Sequence, residues 1–141
     1  MIKYFFLSLF LILSCTTQKQ EEISLGLVKQ DMGESFNLIL TVTNNTSEEQ
    51  SLEYPEKRGS IEERYSLEEE FVDPIIWGRG LRSVSKMYTL KPGETKEFVY
   101  VSGMKHKDVL KNLAHREKSD WFVRIRYHGY YSNAINLKPE K

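Results

Sequence analysis

SFNLILTVT, residues 35–43, decides the fold class. Phe36, Leu38, Leu40 and Val42 occupy every second position, and Ser35, Asn37, Thr41 and Thr43 fall between them. Side chains of an extended chain alternate between faces, so a period of two marks a strand with one buried side. The run stops at Asn44-Asn45-Thr46-Ser47-Glu48, a cluster of turn-forming residues. Its Asn-x-Thr pattern also fits a glycosylation acceptor, but a turn is the simpler reading.

Similar signals lie on both sides. Ile23, Leu25 and Leu27 alternate with Ser24 and Gly26, and DMGES supplies the turn of a first hairpin. Gln50 to Tyr54 reads as a short strand ended by Pro55. Gly59 to Phe71 is open between a short helix, in which Ser60 and Glu63 form a capping box, a charged loop and an edge strand. Phe71 to Trp77 is apolar but broken by Asp73-Pro74, which suits an edge strand or a bent crossing. Leu81 to Leu90 carries a weak strand pattern in Val84, Met87 and Leu90. Lys91-Pro92-Gly93-Glu94 predicts a turn with positive φ at Gly93, and Thr95 to Val101 a strand after it. Lys105 to Arg116 predicts a helix, with Asp108 near its start and Val109, Leu110 and Leu113 on one stripe.

Trp121, Val123, Ile125 and Tyr127 alternate with Phe122, Arg124, Arg126 and His128, and Ile135 and Leu137 follow. Opposite residues of an antiparallel pair share a face. A three-residue loop, Gly129 to Tyr131, would therefore set Ile125 against Ile135 and Val123 against Leu137. It would also leave Tyr130 and Tyr131 at the hairpin tip. Together these signals predict an all-β domain: a β-sandwich of seven or eight short strands, with one short helix before the last hairpin. LTVTNNT, LKPGETKEF and RIRYHGYYSNAINL resemble bacterial immunoglobulin-like sandwich domains, which implies the same architecture. The Asn-rich and Pro-Gly-Glu turns also resemble the intracellular proteinase inhibitor type of domain, although YPEKRGSIEERYSLEEEFVDPIIWG between them departs from its pattern.

The N-terminal segment has a different character. Met1-Ile2-Lys3 precedes ten residues, Tyr4 to Leu13, of which only Ser8 is polar. The run is shorter than the roughly 20 residues a bilayer-spanning helix needs, and has the parts of a secretory signal. LILSC, residues 11–15, ends it with the one cysteine of the sequence. Ile12-Leu13-Ser14-Cys15 resembles the lipobox of bacterial lipoproteins. That resemblance implies cleavage before Cys15, acylation of the new N-terminus and anchoring in a membrane. Thr16, where an aspartate would favour inner-membrane retention, leans the protein toward an outer membrane. The expected organisation is thus a signal over 1–14, a lipidated cysteine and polar tether over 15–22, and a sandwich domain over 23–141.

Composition narrows the function classes. The 141 residues hold 20 Lys+Arg and 20 Asp+Glu. Removing residues 1–14, which contain Lys3 and no acid, leaves 19 basic against 20 acidic groups, a formal charge of −1. Such a balance carries no electrostatic footprint for nucleic acid. With one cysteine, no intrachain disulfide can form.

Motifs for chemistry are sparse. No serine lies in a Gly-x-Ser-x-Gly elbow, and no Gly-rich phosphate loop occurs. His106, His115 and His128 lack metal-ligand spacing. Met104 with His106 offers soft donors for copper, and Glu68-Glu69-Glu70 lacks the spacing of a calcium loop. No cofactor, metal site or catalytic set is expected. Three aromatics, Tyr130, Tyr131 and Trp77, are the candidates for a binding loop. The expected function is a non-enzymatic, membrane-anchored protein-binding or structural module of the cell envelope. The alternatives are a protease inhibitor acting through a surface loop, or a metal-binding envelope protein.

Overall fold

The computed structural model describes residues 20–55, 59–73 and 86–140. Nine antiparallel strands and one helix form an all-β, sandwich-like fold among them. One sheet joins β1 (Ile23–Asp31), β2 (Ser35–Asn44) and β6 (Thr95–Lys105) in the order β1-β2-β6. β3 (Gln50–Glu53) pairs with β5 (Met87–Leu90). The third sheet is built on β7 (Phe122–Tyr127), with β4 (Gly59–Arg64) on one side and β8 (Tyr130–Tyr131) and β9 (Ile135–Asn136) on the other.

The period-two burial pattern runs unbroken through β2, although its pairing with β6 shifts register on either side of Leu38. Phe36, Leu38, Leu40 and Val42 are all fully buried, and Ser35, Asn37, Ile39, Thr41 and Thr43 face outward. Their face meets Ile61, Val123, Ile125, Tyr127 and Leu137 of the third sheet and Leu52, Tyr88 and Leu90 of the two-stranded one in a single core. α1 (His106–Arg116) closes part of that core with Val109 and Leu113. Leu110 does not join the stripe and is 51% exposed, because it sits about 100° round the helix from Val109.

Buried hydroxyls knit the sheets. The Tyr127 hydroxyl donates to the Glu53 carbonyl, so Tyr88, 2.9 Å away, donates to Tyr127. Burial raises both phenol pKa values. Tyr100 is pushed up to about 12 for the same reason. Its ring lies against Gly59, where a Cβ would come within 2.5 Å of the Pro55 carbonyl and 2.8 Å of the Tyr100 hydroxyl. That close approach, not backbone freedom, requires glycine at the start of β4.

Gly59–Arg64 is an edge strand, not a capped helix. Ile61 stands opposite Ile125 and Glu63 opposite Val123, so β4 satisfies the free edge of β7 while burying Ile61. Within Phe71–Trp77, Val72 forms a single bridge with Glu63, and residues 74–77 lie outside the described ones. In β5 the inward residues are Tyr88 and Leu90, whereas Met87 is 55% exposed.

The closing hairpin corrects the three-residue loop. Its turn is His128-Gly129, with φ of 50° and 80°, and Tyr127 pairs with Tyr130. Positive φ at both central residues is the two-residue turn whose twist matches that of the strands. Ser132 then lies opposite Ile125; its amide donates to the Ile125 carbonyl, and its hydroxyl accepts from the Ile125 amide. One extra residue follows, so Val123 meets Ile135 and the Leu137 amide reaches the Trp121 carbonyl. The expected Ile125–Ile135 and Val123–Leu137 pairs assumed one constant register. A bulge at Asn133-Ala134 breaks it. The cause is visible at Asn133. Its side-chain oxygen accepts from the Leu27 amide at 2.7 Å, and its side-chain nitrogen donates to the Leu27 carbonyl at 2.9 Å. A carboxamide thus takes the place of a peptide along the β1 edge and joins the two larger sheets.

Candidate functional site

The outward face of β4 and β7 carries the most organised exposed chemistry among the described residues. Facing residues there are Glu62 with Arg124 and Arg64 with Phe122, while Arg126 faces Ser60 on one side and Tyr131 on the other. Phe71, which leads into the Val72 bridge, lies over this face. The Arg124 guanidinium carbon is 4.3 Å from the centre of the Phe71 ring and 4.2 Å from that of Tyr131. Phe71 in turn carries Arg64 at 4.4 Å, and Arg64 lies 5.7 Å from the Phe122 ring. The result is a ladder of alternating rings and guanidinium groups.

Glu62 fixes the ladder from below. Its side chain is 7% exposed and is 2.7 Å from Arg124 and 3.5 Å from Arg126; Asp73 meets Arg126 at 3.4 Å. Arg124 is therefore held both by a carboxylate and by two rings, Arg126 by two carboxylates, and Arg64 by two rings and the Leu67 and Glu69 carbonyls. Stacked cations of this kind contribute about 0.5–2 kcal/mol each, more as they are desolvated. Their larger consequence is rigidity, since fixed side chains lose little entropy when a partner docks. The face stays open: Tyr131 is 45% exposed and the Arg126 side chain 43%.

A second cluster on the inner side of β4 ties α1 to the sheet. Glu63 is buried and accepts from the Trp121 indole at 2.7 Å and the Tyr65 hydroxyl at 3.4 Å. Tyr65 stacks on Trp121 at 6.0 Å, accepts from Asn112 and lies under Arg116. Burial raises the Tyr65 pKa. Every polar group here meets a neighbour, so the cluster reads as a structural junction.

The sequence-derived candidates separate. Cys15 and Trp77 lie outside the described residues. Tyr130 and Tyr131 are not at a loop tip but in β8, pointing to opposite faces. Tyr130 is half-buried and packs against the core; burial and the Glu22 carboxylate raise its pKa. Tyr131 belongs to the ladder. His106 opens α1 with its Nε2 3.4 Å from Asp31 and its ring 5.1 Å from Phe36. The Gly33 amide and His106 hold the Asp31 carboxyl below its usual range. Met104 is half-buried against the core. Among the described residues no three His, Cys, Asp or Glu side chains converge on a metal position. Glu69 of the acidic run binds the Tyr65 amide and Lys118. Arg64, Phe71 and Arg124, central to the ladder, carried no signal as a group, because the pairing of β4 with β7 brings them together. No helix among the described residues is long and apolar enough to cross a membrane. No protein-family model matches this chain, and no curated protein matches it either.

Proposed function

We propose that the protein is a lipid-anchored lipoprotein of the bacterial envelope, held at the outer membrane through Cys15. Its domain is a non-enzymatic module that binds another protein through the ladder face of β4, β7 and β8. Support for the anchor is the lone cysteine directly after an apolar run too short to span a bilayer. Support for the binding role is the clamped Arg124: a rigid arginine between two rings, one of them the exposed Tyr131, is the composition of interface hot spots.

Cys15→Ser is expected to abolish incorporation of a radioactive fatty acid, since no other thiol exists in the sequence. Equal labelling of mutant and parent would end the anchored reading. For the binding role, Tyr131→Ser removes an exposed ring that covers one side of Arg124. Partner recovery in a pull-down from detergent-solubilised membranes should fall roughly 30-fold, as for a hot spot of about 2 kcal/mol, with a denaturant midpoint near that of the parent. Undiminished recovery of the same partner would remove this face from consideration, and recovery of a protease would move the reading to the inhibitor class.

A further inference from the structure

The described residues reveal a domain with two distinct ends. At one end, the Asn45 side chain donates to the Glu21 carbonyl at 2.9 Å and its amide to the Glu22 carbonyl at 2.8 Å. The Lys91–Glu94 turn joins them through Gly93, whose amide donates to the Asn44 carbonyl at 2.8 Å. The His128-Gly129 turn is there too, since Tyr130 lies beside Glu22. β1 then runs away from this end for nine residues, roughly 30 Å at about 3.3 Å per residue. The β1–β2 turn at Met32-Gly33 marks the far end, where the His106 amide donates to the Glu34 carbonyl and α1 begins.

We infer that the domain stands on the bilayer by the end where β1 begins, with the β1–β2 turn directed away. This rests on the anchored reading of Cys15. Glu21 is already held by Asn45, so six Cα steps connect it to Cys15. Whatever their conformation, they span at most about 22 Å. Inversion would place the β1 start a full domain length above the bilayer, which the tether cannot reach. Charge keeps this end from adhering: Glu21, Glu22, Glu48, Glu49 and Glu94 outnumber Lys91 and Lys96 there, and anionic headgroups repel them within about a Debye length of 10 Å. β7 runs along the same axis, so the ladder face opens sideways and receives its partner laterally.

Once Cys15 is acylated, an introduced cysteine is the sole free thiol. A donor dye is placed on Ser47→Cys or Met32→Cys in the full acylated chain. The protein is reconstituted into vesicles whose headgroups carry an acceptor dye. Energy transfer from position 47 should exceed that from position 32 at least twofold. Protein that floats with the vesicles but transfers equally from both positions, or more from position 32, overturns the orientation alone. Protein that fails to float overturns the anchored reading, and the orientation with it.

Discussion

Asn44→Ala should lower the unfolding free energy by about 3 kcal/mol, far more than a turn asparagine ordinarily contributes. Asn44 is fully buried at the end of β2. Its side-chain nitrogen donates to the Glu48 carbonyl at 2.7 Å and the Leu90 carbonyl at 3.1 Å. Its side-chain oxygen accepts from the Thr46 amide at 2.9 Å and the Thr46 hydroxyl at 2.7 Å. One carboxamide therefore shapes the β2–β3 turn and ties it to the end of β5. Each buried group left unpaired costs about 1–3 kcal/mol. Asn44→Asp should be at least as damaging, because it keeps the acceptors but loses both donors and buries a charge. Asn45→Ala, which removes one exposed bond to Glu21, should cost under about 1 kcal/mol. Urea melts of the three variants provide the test. An Asn44→Ala midpoint equal to that of Asn45→Ala would show that the turn forms without the carboxamide. The burial of Asn44 and its four side-chain hydrogen bonds are those of a turn-forming residue.

Ile125→Ala should cost still more, about 4 kcal/mol within the 2–5 typical of a fully buried large-to-small change. Ile125 has no exposed surface and lies between Ile61 of β4 and Ser132 after β8. Truncation opens a void between two strands whose backbones are fixed on both sides, so collapse around it is limited. The contrast is Tyr131→Ser, one strand over and facing out, which should change stability by no more than about 0.5–1 kcal/mol. A denaturant melt that ranks the two in the opposite order would mean that β7 faces the other way and that the ladder is core. A loss below about 1 kcal/mol for Ile125→Ala alone would place this strand outside the cooperative core.

The strand class, the first hairpin, the Pro-Gly turn and the helix were legible before any tertiary contact was known, because each is encoded within a few neighbouring residues. A period of two survives any choice of partner strand, and Gly93 has positive φ, 73°, wherever its turn lies. Four apolar residues in SFNLILTVT therefore sufficed to assign β2 and its buried face. Segments with two local solutions were decided only by the tertiary structure. Gly59–Arg64 could cap a helix or pair as a strand, and the exposed edge of β7 selected the strand. Parity in the last hairpin excluded a uniform two-residue turn, yet the chain uses such a turn and recovers parity with a bulge. That bulge exists because Asn133 bonds to Leu27, 106 residues away. The ladder belongs to the same category. Arg64, Phe71, Arg124 and Tyr131 are ordinary on their own strands and segments; cross-strand register and the buried Glu62 give them fixed geometry. Long-range pairing makes these contacts favourable only after the sheets have assembled, so no local pattern records them.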